Sequence, residues 1–468
     1  MWLGAGGRLA FDAVPATDSH LNELPTTCVV GAGPNGLALA RALTTLGLPV
    51  EVYERHTSIG GLWAADNPKS PIYESAHFIS SKTQSAFPGF PFPESVPDYP
   101  GGAEIRAYLD DFVDTFGLRD VITTGCGVAH ADWDGARWAV ELDDGTTRTF
   151  DHFVCANGSQ WHPTMPDIAG TFAGRLIHSV EYSSIDELRH QRVLVIGAGN
   201  SGTDIACDAA ASASRAALSM RRGYHFLPKH IFGIPSDVFA TSGPELPMAI
   251  SQRIFPAMLR MLVGRPERFG LPKPDHKLFE THPIVNSEIF HFLSHGDLVV
   301  RPDVDHFDGQ DVHFVDGTSE PFDVVICATG YTVEVPYLDD SHFEWKHGKP
   351  QLLMELFSRT NPYLHATGFA EGDSGGFPLF DVMADAIANV IQSVGRAVDG
   401  PPPKPWLDHL AQARPETRGK AKLKDLPRNV NYIHRSAYEK VVASMREDFG
   451  WREYSPPTVE DAKAIATA

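Results

Sequence analysis

Cys28-Val-Val-Gly31-Ala-Gly33-Pro34-Asn35-Gly36-Leu-Ala-Leu-Ala40 reads as an apolar strand, a three-glycine turn and the opening of an alanine-rich helix. Val195-Ile-Gly197-Ala-Gly199-Asn200-Ser201-Gly202-Thr-Asp-Ile-Ala206 repeats that order further along. The first glycine of each set allows the tight turn out of the strand, the second lets backbone N–H groups approach a pyrophosphate, and the third lets helix and strand close together. The helix N-terminus then offers fixed partial positive charge to the phosphates. One such motif is weak evidence in a chain with 41 glycines. Here each copy follows a buried-strand pattern (26–30 and 192–196) and precedes a helical one (36–46 and 202–213). Two units on one chain imply two nucleotides held together, with electrons able to pass between them.

The end of the following strand separates the two sites. Val50-Glu-Val-Tyr-Glu54 finishes on a carboxylate placed to accept hydrogen bonds from a ribose diol, which suits FAD or NAD. The matching strand of the second unit, 216–220, runs into Arg221-Arg222 with no acid, and guanidinium groups there pair well with a 2′-phosphate. That site suits NADPH; the plainer alternative is a solvated charged edge.

At 468 residues the chain exceeds what one core usually supports. The expected fold class is α/β, with two Rossmann-like dinucleotide-binding domains and the NADPH domain inserted in the FAD domain. The expected boundaries are 1–165 for the first part of the FAD domain, with 1–24 a loose leader, 166–329 for the NADPH domain, and 330–468 for the second part of the FAD domain with a C-terminal helical extension. Within this plan 136–145 reads as a hairpin, 161–174 as a proline-bearing linker, 322–328 as a buried strand, and 436–449 as a helix packed on the flank rather than a lid.

A net charge of −20 disfavours nucleic acid and anionic membrane as partners and leaves small molecules. Cys28, Cys126, Cys155, Cys207 and Cys327 stand singly, without a CxxC pair or metal-ligand spacing, so no metal site and a reducing, cytoplasmic setting are expected. No run approaches the roughly 20 uninterrupted apolar residues that span a bilayer. The N-terminal residues lack an export signal. A homodimer is the assembly that acidic enzymes of this size often form.

Phe172-Ala-Gly174-Arg-Leu-Ile-His178-Ser-Val-Glu-Tyr182 lies between the two glycine motifs and fits FxGxxxHxxx(Y/F). Taken with Gly60-Gly61-Leu62-Trp63, the 197–202 motif and Ala328-Thr329-Gly330-Tyr331, it makes the stretch from about 28 to about 394 resemble the flavin-containing monooxygenases, class B flavoprotein monooxygenases. The resemblance implies that Gly31, Gly33, Gly36 and Glu54, with Pro34 and Asn35 in the same turn, hold the FAD diphosphate and ribose. Gly61, Leu62 and Trp63 would line the flavin half. Gly197, Gly199, Asn200, Ser201 and Gly202 would hold the NADPH diphosphate, with Arg221 and Arg222 at its phosphorylated ribose. Thr329 and Gly330 resemble the crossover back into the FAD domain, and Thr367-Gly368-Phe369 with the helical run after it would approach the flavin ring. The implied chemistry is hydride transfer from NADPH to FAD, capture of O2 as a C4a-hydroperoxyflavin, and oxygen transfer to nitrogen, sulfur or an indole-type carbon of a small substrate.

One position departs from the family pattern. Members often carry Asn where Phe78-Ile79-Ser80-Ser81-Lys82 has Ile79, which has no hydrogen to donate; Ser80 and Ser81 are the candidate catalytic donors instead. If neither serves, the expected outcome is an uncoupled NADPH oxidase releasing H2O2. Baeyer–Villiger ketone oxygenation is a further reading, weakened by Tyr182 where that family's fingerprint ends in Trp. A disulfide reductase is excluded by the missing cysteine pair, and a nucleotide-binding module without turnover is the non-enzymatic alternative. His178 reads as a linker residue orienting the two domains rather than as a general base.

Overall fold

The computed structural model describes residues 23–243, 248–262, 264–419, 423–424, 426, 429–453 and 455–466; apart from Glu23 and Leu24, the expected leader lies outside them. Two five-stranded parallel sheets organise the chain. The first runs in the order Leu364–Ala366, His152–Cys155, Thr27–Val30, Val50–Glu54, Ile122–Thr124. Thr27–Val30 is buried along its whole length, which is why its sequence shows no alternation of polar and apolar residues. Leu364–Ala366 joins this sheet only after the second sheet has been completed in sequence, setting Leu364 beside Phe153 and Ala366 beside Cys155. The second nucleotide fold is therefore inserted in the first. Its sheet runs Arg175–His178, Val324–Cys327, Arg192–Ile196, Arg215–Ser219, Leu298–Arg301.

The helices after the two glycine turns are Pro34–Thr45 and Asn200–Ser212. Each begins two residues earlier than the sequence pattern suggests, because the second glycine of each motif, Gly33 or Gly199, is the N-cap and its successors already have helical geometry. Pro34 suits the first helical position, where its missing N–H is no loss.

The stretch 161–174 is not a bare linker. His162–Pro163 pairs antiparallel with Tyr331–Thr332, and Ala169–Phe172 pairs parallel with Val304–Gly309. A two-residue strand accommodates a proline because its ladder is short and open. The expected hairpin at 136–145 forms as Trp138–Leu142 turning into Thr147–Phe150, with Val128–Trp133 on its other side.

Helix Gly376–Val394 lies against Pro34–Thr45 in the centre of the first fold, joined by a buried ion pair in which the Arg41 guanidinium donates to Asp381. The same guanidinium sits over the rings of Phe112 (4.8 Å) and Phe116 (4.9 Å). The segment 376–399 is long and apolar enough by composition to cross a membrane, and 83% of its apolar window is buried inside the fold. Arg435–Phe449 packs on the flank of this core, as the apolar spacing predicts: Tyr438, Val442 and Met445 are buried, and Asp385 accepts from Arg446 at 2.6 Å.

Candidate active site

The two glycine turns are built to one plan. Gly31 and Gly197 take φ of +108° and +101°, and a Cβ on either would fall 2.6 Å from a carbonyl oxygen, of Ala156 and Ala328 respectively. A Cβ on Gly36 or Gly202 would lie 1.9 Å from the carbonyl oxygen of Gly31 or Gly197. The first and third glycines are thus demanded by the protein's own backbone. The second is not: Gly199 has nothing within 4 Å of its missing Cβ, and Gly33 meets the Gly61 backbone at van der Waals distance, Cα at 3.5 Å and N at 3.9 Å. Neither helix receives a side-chain cap, so the first N–H groups of each face an open cradle.

At the first cradle Glu54 accepts from Ala32 N–H (2.8 Å) through one oxygen and from His56 N–H (2.9 Å) through the other. Each oxygen keeps a lone pair for a further donor. Gly61-Leu62-Trp63 forms a single helical turn whose backbone leans on the cradle, Gly61 lying so close that its Cβ would be 2.9 Å from Gly33 Cα. Asn35 Oδ1 accepts from Thr367 Oγ1 at 2.9 Å, which fastens the chain beyond Leu364–Ala366 across the start of the first helix. Trp63 meets Phe78 edge-on at 5.1 Å, and Phe78 meets Phe377 at 5.4 Å. Segments 31–36, 60–63, 78–81 and 367–377 therefore converge on one end of the first sheet.

Ile79 is 42% exposed on this convergence. Ser80 Oγ pairs with Ser85 Oγ at 2.7 Å. Ser81 is wholly buried: its hydroxyl caps the turn Lys82–Ser85, and its N–H donates to Asp237 at 2.6 Å. Of the two serines, Ser80 is the one whose side chain is partly accessible.

At the second cradle Asn200 Oδ1 accepts from Val285 N–H at 3.3 Å. Arg221 is exposed just past the strand Arg215–Ser219, while Arg222 stacks over Tyr224 (5.3 Å) and donates to its hydroxyl (3.2 Å). Thr329 Oγ1 donates to the Thr164 carbonyl, and Thr164 N–H donates to Gly330 O at 2.9 Å, so the two connections between the folds run side by side. His178 Nε2 also donates to Gly330 O, at 3.1 Å, and its Nδ1 accepts from Val180 N–H at 3.2 Å. This pair of contacts fits a neutral ring, and burial pushes the His178 pKa down, in keeping with a linker role. The sequence reading missed Asn35 as a link to Thr367, and Phe78 and Phe377 as partners of Trp63, because no local pattern joins residues so far apart.

The family model described as flavin-binding monooxygenase-like matches residues 26–434. Indole-3-pyruvate monooxygenase YUCCA4 of Oryza sativa subsp. japonica is 32% identical over 422 residues, covering 83% of this chain and 92% of that protein. Flavin-containing monooxygenase 3 of Canis lupus familiaris is 29% identical over 391 residues, covering 78% and 73%. Among solved structures, an oxidized steroid monooxygenase bound to NADP superposes with a TM-score of 0.70 at 17% identity, covering 93% of this chain and 100% of that one. The S-allyl-L-cysteine S-oxygenase from Allium sativum gives 0.64 at 21%, covering 92% and 90%. The chain belongs to the flavin-binding monooxygenase-like family. It is an FAD- and NADPH-dependent monooxygenase with two Rossmann-type domains, acting through O2 on a small molecule.

Proposed function

We propose that FAD is held by Gly31, Gly33, Pro34, Asn35, Gly36 and Glu54, with Gly61, Leu62 and Trp63 along its flavin half, and that NADPH is held by Gly197, Gly199, Asn200, Ser201, Gly202, Arg221 and Arg222. Thr329 and Gly330 form the crossover wall between them. One observation carries this reading: in both turns the protein's own backbone demands the first and third glycines but not the second, where Gly199 faces open space and Gly33 touches Gly61 only at van der Waals distance, and both helices leave their first N–H groups uncapped for a diphosphate. The residues fit both groups. Glu54 retains acceptor capacity for a ribose diol, and Arg221 is accessible for a 2′-phosphate. On this reading the two lobes divide near 165 and 330, FAD on the outer segments and NADPH on the middle one.

Bound there, the flavin supplies two-electron exchange with nicotinamide and activation of O2. The chain's part is to orient and enclose. Trp63, Phe78 and Phe377 form an apolar wall that excludes water, and Ser80 is the residue of the 78–81 stretch able to offer a hydroxyl. The substrate that suits such a wall is small and apolar with a soft nucleophilic nitrogen or sulfur. A second reading, an indole-bearing 2-oxo acid like that in the name of the rice relative, draws its support from the 32% identity with that protein. The five free cysteines favour a reducing cytoplasmic setting.

Oxygen uptake with a thioether, a tertiary amine and indole-3-pyruvate, with H2O2 counted in parallel, tests the substrate. Uptake above the H2O2 released with the thioether or amine supports the first reading, and with the oxo acid alone the second. Uptake matched by H2O2 for all three contradicts both.

A further inference from the structure

Helix Asn200–Ser212 carries the second cradle at its N-terminus, and further along it grips the other fold. Asp208 Oδ2 accepts from Ser75 Oγ at 2.6 Å and from Tyr182 Oη at 2.9 Å. Asp204 Oδ1 accepts from Asn286 Nδ2 at 2.7 Å, and Tyr73 Oη stands 3.5 Å from its other oxygen. Glu74 N–H donates to Ser183 O at 2.8 Å. His77 Nδ1 pairs with Ser75 O at 2.9 Å, leaving its Nε2 to accept from Lys229. Residues 73–77 come from the first nucleotide unit in sequence, yet Tyr73 and Ala76 are buried in the core of the second; Ser183, Asp204, Asp208, Lys229 and Asn286 belong to the second. Ile79 and Ser80 follow almost at once.

We propose that these contacts form a clasp, with Asp208, Ser75 and Tyr182 as positioning residues that tie the helix receiving the NADPH diphosphate to the loop bearing Ile79 and Ser80. Occupancy of the second cradle would then steady that loop beside the first cradle and favour oxygen transfer over leakage. The inference rests on the cofactor placement given under the preceding heading. A helix is a stiff rod rising 1.5 Å per residue, so Asp208 lies about 9 Å along the axis from Gly202 and moves with it. When the loop is held, NADPH, H+, O2 and substrate yield NADP+, water and oxygenated substrate. When it is loose, the same two electrons leave with both oxygen atoms: NADPH + H+ + O2 gives NADP+ + H2O2.

The test is the rate of NADPH oxidation by the holoenzyme without substrate, with H2O2 counted, in Asp208→Ala, Asp208→Asn and Ser75→Ala. Losing a hydrogen bond worth about 1 kcal/mol loosens the loop about fivefold, so Asp208→Ala and Ser75→Ala are expected to leak H2O2 about five times faster than the parent. Asp208→Asn keeps an acceptor oxygen and is expected to stay near the parent rate. Simple destabilisation would lower the rate instead, so the sign separates the two causes. A parental leak rate in both Asp208→Ala and Ser75→Ala overturns the clasp. Ser75 is exposed and its truncation is mild, so Ser75→Ala decides alone if Asp208→Ala does not fold. Gly199→Leu separates the clasp from the cofactor placement: an unchanged KM for NADPH in that variant overturns the placement, whereas a raised KM with parental leak rates in Asp208→Ala and Ser75→Ala overturns the clasp alone.

Discussion

His178 Nε2 donates to Gly330 O at 3.1 Å, joining the strand that enters the inserted fold to the glycine where the chain leaves it. His178→Phe keeps a ring but removes the donor, leaving the exposed Gly330 carbonyl with Thr164 N–H as its remaining protein partner. The expected cost is that of one ordinary hydrogen bond, about 1 kcal/mol of stability, read by denaturant unfolding. His178→Gln, which retains an N–H donor, is expected to recover most of it. Equal stability of the Phe variant and the parent contradicts the bridging role.

The glycine turns make a steric prediction. Alanine at Gly36 or Gly202 drives a Cβ to 1.9 Å from backbone oxygen, so both variants are expected to lose their turn and bind little cofactor. Alanine at Gly199 meets nothing within 4 Å, and its φ of −71° suits any residue. That variant is expected to melt like the parent yet show a KM for NADPH raised about tenfold, since a 1.4 kcal/mol loss of diphosphate contact is a factor of ten. Thermal melts and steady-state kinetics check both halves.

The two arginines differ in their surroundings. Arg222 is engaged with Tyr224, whereas Arg221 is exposed at the strand end. Arg221→Ser is therefore expected to cut the preference for NADPH over NADH by roughly 10- to 100-fold, the worth of one or two charge-assisted hydrogen bonds. Arg222→Ser is expected to do less. Unchanged preference in the double variant contradicts a 2′-phosphate site here.

A buried histidine pair sets an acid limit on stability. His152 Nδ1 lies 3.0 Å from His365 Nε2 on adjacent strands, and His152 Nε2 lies 2.8 Å from Gly395 O. Burial pushes His152 down to about 4 and His365 well below its ordinary value. The unfolded chain takes up protons near 6.5 that the folded chain refuses, so stability is whole above about pH 6.5 and falls as pH drops toward 4. The loss is of order 1 to 3 kcal/mol, read from denaturant midpoints across that window. A flat profile from pH 6.5 to 4.5 contradicts the neutral pair.

The nucleotide folds were legible because glycine spacing and buried strand runs are local signals of a tight strand-to-helix turn. Arg41 shows where legibility stops. Nothing local in Ala40-Arg41-Ala-Leu43 marks the arginine as buried; it is buried because Asp381, 340 residues away, supplies its partner. The serine pair shows a signal that was present. Ser81-Lys-Thr-Gln84 has the spacing of a capping box, which assigns Ser81 to the start of a turn and leaves Ser80 as the accessible hydroxyl. The clasp at Asp208 was unreadable, since its partners come from the far side of a domain insertion.

Anaerobic mixing of the purified protein with NADPH tests most directly the claim that two nucleotides are held at once, one in the Glu54 cradle and one in the Arg221 cradle. The protein is expected to be yellow, its flavin absorbance bleaching fully with one equivalent of NADPH and more slowly with NADH. A colourless protein that refuses added FAD, or a flavin that NADPH leaves oxidised, would contradict it.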